Sequence, residues 1–427
     1  MKKAKNTQTA PVAAVSTSPG RSAVAVVRLS GKGCIEIAKT IFSPFPSRSN
    51  ELKHGVLSAD GLKDDAMCVW FNAPRSYTGE DMVEFHTHGG FFVSQAVVEA
   101  CVARGCRVAT NGEFTKRAYL NGKLKLTEAE GIIDVIDAES KRAANNGYNL
   151  LAGKLNGKIL EIQDELTNLL AQVEVTLDYP EEELDMPRFE AVLSEIDFLL
   201  ATARQGKLIK NGVEVVIAGE TNVGKSSLLN ALVGYDRAIV TEIEGTTRDT
   251  LTQSVIYKDV KFNFTDTAGL RGTNDPVEKL GVQRAEEAIK NADIVLLVLD
   301  ATKPAEKIAA DDRTIVLFNK TDIADKSSDG LEISALTGYN IEKVKEEIYK
   351  KTQIDKIDSS DVLLTNNRHI DCLQRAAAAL RRTQADATPD CVASDLAQCW
   401  EALGEITGKS LSEEVISRIF EKFCVGK

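Results

Sequence analysis

The sequence predicts a multidomain protein: an α+β N-terminal domain, an all-α helical domain in two segments, and a doubly wound α/β domain inserted between those segments. Three observations carry this prediction. Short β-rich runs punctuated by Gly, Pro and Asn clusters occupy the start of the chain. Helical apolar periodicity fills residues 124–211 and returns from about residue 362. Between these stretches a Gly-rich loop joins a strand pattern to a helix pattern, and further short apolar runs follow it. The domain bounds read 1–123, 124–211, 212–352 and 353–427. Termini of a compact domain often lie close together, so an inserted domain leaves its two flanks free to build one bundle.

In the first domain Ala23–Leu29 is β-rich, Val69–Phe71 is short and apolar, and Met82–His86 alternates. Ser18-Pro19-Gly20, Asn72-Ala73-Pro74 and Asn111-Gly112 separate such runs, and Phe92–Ala103 reads as a helix. Strand-like pattern begins near Val12. The polar stretch before it holds three lysines in its first ten residues and no apolar h-region, so it reads as a short tail and not a signal peptide. The next stripe runs Leu155, Ile159, Ile162, Leu166, Leu169, Val173, with steps of 4, 3, 4, 3 and 4. That is a heptad seam, which predicts packing against another helix. Tyr179-Pro180 stops it, before the acidic Glu181–Glu183. A second helix reads Phe189, Leu193, Ile196, Leu200 and Ala203. After the charged, linker-like Lys351–Asp361, helical stripes return at Ile370, Leu373, Ala377, Leu380, then Leu396, Trp400, Leu403, then Leu411, Val415, Ile419, Phe423.

Composition narrows the function. With 427 residues there is ample core for several domains. A net charge of −11 argues against a broad non-specific nucleic-acid binder and leaves room for a local basic patch. The eight cysteines lie apart with no C-x-x-C, as reduced thiols do. No apolar run reaches ~18 residues, so neither a transmembrane helix nor a membrane partner is expected, and the expected location is cytoplasmic.

The central loop is Gly219-Glu220-Thr221-Asn222-Val223-Gly224-Lys225-Ser226, a G-x-x-x-x-G-K-S after the apolar run Val213–Ala218. Strand, tight loop and helix are what a phosphate cradle requires. Glycines let backbone N–H groups turn toward the anion, and the helix N-terminus adds partial positive charge. Lys225 is placed to reach the β/γ-phosphates, and Ser226 offers its hydroxyl to Mg²⁺. Lys261–Thr265 leads into Asp266-Thr267-Ala268-Gly269, a D-x-x-G in which Asp266 holds Mg²⁺ through water and the Gly269 amide senses the γ-phosphate. Ile294–Leu299 reads as a buried parallel strand. Thr314–Phe318 is another, and ends in Asn319-Lys320-Thr321-Asp322, the N-K-x-D of GTPases. The Asp322 carboxylate can accept from the ring N–H and the exocyclic amine of guanine. Adenine would leave it unpaired. Ile333-Ser334-Ala335 fits the last guanine-contacting loop. Four motifs in this order predict a Ras-like GTPase domain. In Ras-like switches a Gln follows the D-x-x-G and orients the attacking water, but here Leu270 stands there. Another group must orient water and another cation must sit by the phosphates. The side-chain carbonyl of Asn222 is one candidate ligand for a monovalent ion, and the backbone carbonyls of Thr241, Ile243 and Thr246 would complete its shell, while Thr247 is placed to reach Mg²⁺.

Beyond these motifs the chain resembles the MnmE (TrmE) family of tRNA-modification GTPases over nearly its whole length. The resemblance rests on Pro19-Gly20-Arg21, Arg28-Leu29-Ser30-Gly31, Tyr77-Thr78-Gly79-Glu80-Asp81, His88-Gly89-Gly90, Gly112-Glu113-Phe114-Thr115, Arg117-Ala118 and Gly245-Thr246-Thr247-Arg248-Asp249. It rests too on the closing Phe423-Cys424-Val425-Gly426-Lys427, similar to the family's F-C-x-G-K. The segment between Asp300 and Asn319 is short for the family.

The resemblance implies a potassium-activated GTPase that modifies C5 of the wobble uridine of certain tRNAs, adding a carboxymethylaminomethyl or aminomethyl group. It implies a homodimer, and a heterotetramer with the FAD-bearing flavoprotein MnmG (GidA). It implies a tetrahydrofolate derivative, in the 5,10-methylene or 5-formyl form, in a dimerising N-terminal domain whose matching contacts are Arg28, Glu84, Lys123 and Lys427. A carboxylate such as Glu84 suits a pterin's N–H donors, and cations suit folate's glutamate tail. By resemblance the nucleotide set is Asn222, Val223, Gly224, Lys225, Ser226, Ser227, Thr241, Glu242, Ile243, Glu244, Gly245, Thr246, Thr247, Asp266, Thr267, Ala268, Gly269, Asn319, Lys320, Asp322, Ser334 and Ala335. Asn222, Thr241, Ile243 and Thr246 match the potassium site, Ser226 and Thr247 the Mg²⁺ site, and Glu278 the water-orienting acid. Cys424 is either a buried structural thiol or a catalytic one beside the folate. Two other classes stay open: a ribosome-assembly GTPase switch, and a folate-dependent one-carbon transferase with regulatory GTP.

Overall fold

The computed structural model describes residues 10–179, 188–234, 252–266, 286–303, 311–324, 330–356, 362–383 and 388–427. They divide into two units: Met1–Ile133, Asn156–Leu160 and Glu401–Lys427 form one, Asp134–Leu155 and Glu161–Trp400 the other.

The first unit is α+β. Its strands are β1 (Val12–Val15), β2 (Ser22–Ser30), β3 (Phe42–Ser43), β4 (Lys53–Ala59), β5 (Leu62–Phe71), β6 (Met82–Gly89) and β7 (Arg107–Val108). They make one sheet in the order β3-β4-β5-β6-β2-β1-β7, in which only β1 and β7 pair in parallel. Alternation decides the faces. Val27, Leu29, Val83 and Phe85 enter a core with residues of the helices Cys34–Ile41 and Phe91–Ala103. Arg28, Glu84 and His86 therefore fall on the opposite face. The sequence pattern found β2, β6 and the end of β5. It missed β4 because Gly55, Ser58 and the charged Lys53 break the apolar run.

The C-terminal helix Glu413–Phe420 packs on the helix Glu113–Leu120. Of the expected stripe Leu411, Val415, Ile419 and Phe423, Phe423 is buried just past the helix, but the helix itself buries Ile416 and Phe420 instead: Val415 is 39% exposed, and Leu411 and Ile419 are half-buried. The reason is aromatic. Phe420 sits 5.2 Å from Phe423 and 5.9 Å from Tyr119 between ring centroids, and these large rings set the helix rotation.

The second unit carries a doubly wound sheet of β8 (Val213–Gly219), β9 (Thr252–Tyr257), β10 (Val260–Asp266), β11 (Ile294–Asp300), β12 (Thr314–Asn319) and β13 (Leu331–Glu332). Its order is β13-β12-β11-β8-β10-β9, all parallel except the β9 edge, which runs antiparallel to β10. Val215, Ile217, Leu296 and Val298 bury one face, Val216, Ala218 and Val295 the other. Burial on both faces is why these strands read as continuous apolar runs. The helix Asn367–Arg382 packs on Glu190–Ala201. Ile370, Leu373, Ala377 and Leu380 of the former are all buried, and Val192 and Leu199 of the latter displace half-buried Leu200 from the inner face. Every position of the heptad seam in the helix Lys154–Asp178 is buried. Among the described residues no helix is long and apolar enough to cross a membrane.

Candidate functional site

The loop after β8 is shaped by two glycines. Gly219 has φ +145°, and a Cβ there would meet Val298 O at 2.3 Å. Gly224, at φ +94°, is the N-cap of the helix Lys225–Val233, and a Cβ there would meet Asn319 Nδ2 at 2.4 Å. Asn222 holds φ 64°, a left-handed conformation that Asn tolerates better than most residues. The loop closes on itself, because Lys225 Nζ donates to Gly219 O at 3.0 Å and to Glu220 O at 2.6 Å. Ser226 Oγ donates to Asp266 Oδ2 at 2.7 Å. The sequence motifs placed both oxygens at one spot, and a hydroxyl beside a carboxylate is a donor set that suits a hard cation such as Mg²⁺.

The N-K-x-D side chains are used in three ways. Asn319 is buried and joins two loops: its Nδ2 donates to Val223 O at 2.8 Å, and its Oδ1 accepts from Ala335 N at 2.9 Å. Asp322 is exposed and steadied by Ser334 Oγ at 2.7 Å. Lys320 Nζ pairs with Asp300 Oδ2 at 2.6 Å. Burial pushes the Asp300 carboxyl up, but Lys320 and the Thr302 hydroxyl and N–H outweigh it and hold it at about 2. Asp300 is absent from the residues singled out in the sequence. Its signal is position, since it ends the parallel strand beside the one carrying N-K-x-D. Thr241, Glu242, Ile243, Glu244, Gly245, Thr246, Thr247, Thr267, Ala268, Gly269, Leu270 and Glu278 lie outside the described residues.

A second polar cluster lies on the open face of the first unit's sheet. Arg28 Nε donates to Glu84 Oε1 at 2.8 Å across β2 and β6, and Arg28 Nη1 reaches Gly426 O at 3.4 Å. The guanidinium lies 5.3 Å from the Tyr77 ring centroid and 5.6 Å from that of Phe114. Burial pushes the Glu84 carboxyl up, but His86 and Arg28 outweigh it and bring it below the usual range. Burial, aided by Arg28, lowers the Lys427 amine, against the opposing influence of Cys424 and Glu84. The tail is pinned: Phe114 N donates to Lys427 O at 3.2 Å, Gly112 N to Cys424 O at 3.3 Å, and Ser16 Oγ to Gly426 O at 3.0 Å. Arg28, Glu84 and Lys427 are thus brought together. Lys123 is exposed and instead donates to Pro74 O at 3.2 Å. Cys424 is exposed, so the buried structural alternative does not hold.

Two family models match the chain: the GTP-binding protein TrmE N-terminus over residues 11–123 and the MnmE helical domain over residues 126–424. The tRNA modification GTPase MnmE of Streptococcus suis (strain 05ZYH33) is 38% identical over 449 residues, covering 97% of this chain and 98% of that protein. The chain belongs to the MnmE family. Another member of the MnmE family, from Clostridioides difficile (strain 630), is 36% identical over 454 residues, covering 97% and 99% of the two chains. Among solved structures, the G domain of the T. maritima FeoB iron transporter is 29% identical, covering 33% of this chain and 99% of that one at a TM-score of 0.25. MnmE membership makes this chain a GTP hydrolase of a tRNA-modification family. Within it, Tyr77, Phe114 and Gly426 sit in the family's signatures, yet their contacts with Arg28 had no sequence signal beyond that.

Proposed function

We propose that the chain couples GTP hydrolysis to modification of the wobble uridine of certain tRNAs at C5, leaving a carboxymethylaminomethyl or aminomethyl group. It does so as a homodimer with a flavoprotein of the MnmG (GidA) type. The observation that supports this reading is the pairing, in one chain, of a P-loop and N-K-x-D site with a separate Arg28–Glu84–Lys427 cluster. The first suits a guanine nucleotide with Mg²⁺ at Ser226 and Thr247. The second offers a carboxylate to pterin N–H donors and cations to folate's carboxylates, with Lys123 as a further cation. Bound tetrahydrofolate derivative supplies one-carbon chemistry there; Arg28, Glu84 and Lys427 bind and orient it. The domain bounds 1–123, 124–211, 212–352 and 353–427 belong to the same proposal.

Mass analysis of tRNA nucleosides from a deletion strain tests it. Loss of the C5-modified uridine is expected. Unaltered nucleosides would favour a ribosome-assembly switch. Loss of the modification that a GTPase-dead variant restores would favour a one-carbon transferase with regulatory GTP.

Guanine selection falls to Asp322. Asp322→Asn is expected to weaken GTP binding by at least 10-fold and to admit xanthosine triphosphate, because an amide can pair with xanthine's carbonyl. Unchanged GTP affinity in a titration would sink the assignment. Cys424 is exposed beside Lys427, so Cys424→Ser is expected to keep the fold and GTP hydrolysis and to abolish tRNA modification. Normal modified-uridine levels in that variant would refute a catalytic thiol.

A further inference from the structure

One group in the Arg28 cluster is not used by that reading. His86 lies two residues beyond Glu84 on β6, on the same face, with Val26 of β2 and Met67 of β5 as its cross-strand neighbours. Neither neighbour carries a side-chain hydrogen-bond donor, and Met67 offers only a weakly accepting sulfur. Glu84 Oε1 is engaged by Arg28, while Glu84 Oε2 stands 3.6 Å from His86 Nε2, beyond hydrogen-bond reach. His86 Nε2 is shielded from solvent and makes no hydrogen bond among the described residues. Buried polar atoms are rarely left this way, and each instance needs a cause. The adjacent carboxylate favours the tautomer with the proton on Nε2, which makes this atom a donor aimed beside an acceptor.

Resting on the folate reading of this cluster, we propose that His86 is the specificity-determining residue for the 4-oxo group of the pterin ring. A pterin presents an amino group at C2, an N–H at N3 and a carbonyl at C4 along one edge. A carboxylate satisfies the first two and a neighbouring N–H the third. Glu84 and His86 offer that sequence of acceptor and donor on one strand face, and Glu84 Oε1 can take a ligand proton besides that of Arg28, since a carboxylate oxygen has two lone pairs. A site built to donate to a carbonyl rejects an analogue that presents an amino group there, because two donors then face each other.

The test is an equilibrium titration of the full-length chain with tetrahydrofolate and with its 4-amino analogue, which carries an amino group in place of the C4 carbonyl and no proton on N3. The loss at N3 faces Glu84 in every variant alike, so a change of the affinity ratio between variants reports on residue 86. His86→Leu is expected to move the ratio of the two affinities by about 10- to 100-fold toward the 4-amino compound. His86→Gln, whose amide retains an N–H donor, is expected to hold the wild-type ratio within about threefold. His86→Phe gives the same reading as leucine should the leucine variant not fold. A ratio unchanged in the apolar variants, or a glutamine variant that shifts as far as they do, overturns the role of His86 and leaves the folate reading standing. Failure of the wild-type chain to bind either compound removes the folate reading itself, and this inference with it.

Discussion

Replacing Glu278 by alanine is expected to lower GTP hydrolysis by about 10²–10⁴-fold while GTP still binds, the loss that follows removal of a positioned acid or base. An aliphatic side chain such as Leu270 after the D-x-x-G cannot orient water, so that work passes to another residue, and we propose Glu278 for it, the position that the resemblance matches to the family's water-orienting acid. Charge developing on the transferred phosphoryl group also needs a cation. Asn222 holds a left-handed conformation in the middle of the P-loop, one residue before Val223, whose carbonyl is tied to Asn319. We propose that the Asn222 carbonyl and the backbone carbonyls of Thr241, Ile243 and Thr246 hold K⁺, as the resemblance implies, and the smaller Na⁺ would fit a shell made for K⁺ badly. Hydrolysis is therefore expected to rise steeply with K⁺ and little with Na⁺, and Asn222→Ala to lose the K⁺ response. Equal single-turnover rates in the two salts, with both variants near wild type, would remove this mechanism and leave nucleotide binding alone.

The nucleotide domain was the more legible half of the molecule because its physics is local. A strand buried on both faces shows as an unbroken apolar run, and Val213–Ala218, Ile294–Leu299 and Thr314–Phe318 each became a strand within a residue of the pattern. The edge strand β9 was not legible: Thr252, Gln253 and Ser254 dilute it, and an edge has only one neighbour to dictate its composition. Ser226 and Asp266 were named from two motifs 40 positions apart and meet at 2.7 Å, since each motif carries its own turn chemistry. The Lys320–Asp300 pair escaped notice because nothing local marks a lysine that turns back to a neighbouring strand. The Arg28 cluster was legible only through resemblance. Its members come from two strands, a helix start and the C-terminal tail, and no periodicity links residues 398 positions apart such as Arg28 and Gly426.

Replacing Arg117 by methionine is expected to destabilise the first unit by about 3–5 kcal/mol, the loss typical when one member of a buried ion network is removed. Arg117 and Glu113 are each 8% exposed. Arg117 Nη2 donates to Glu113 Oε1 at 2.9 Å, Nη1 to Glu80 Oε2 at 2.9 Å, and Nη2 also to Ala10 O at 3.3 Å. Glu113 is held as well by Arg107 and by Thr110 N at 3.0 Å. Burial alone would push the Glu113 carboxyl up, but Arg107, Thr110 and Arg117 outweigh it and lower it from its ordinary 4.5 to about 2. The folded state thus holds Glu113 ionised where the unfolded chain would protonate it. Its contribution, about 3 kcal/mol at 1.36 kcal/mol per pKa unit, is fully present above about pH 4.5 and is lost as pH falls toward 2. Without Arg117 the Glu113 pKa moves back toward 4.5, so stability at neutral pH drops and its slope between pH 4.5 and 2 flattens. Denaturant unfolding followed by Trp70 fluorescence, in a Trp400→Phe background that leaves one of the two tryptophans, reads this unit alone. A variant within about 1 kcal/mol of wild type at pH 7, with the same acid slope, would show that the network is solvated and contributes no more than a surface ion pair.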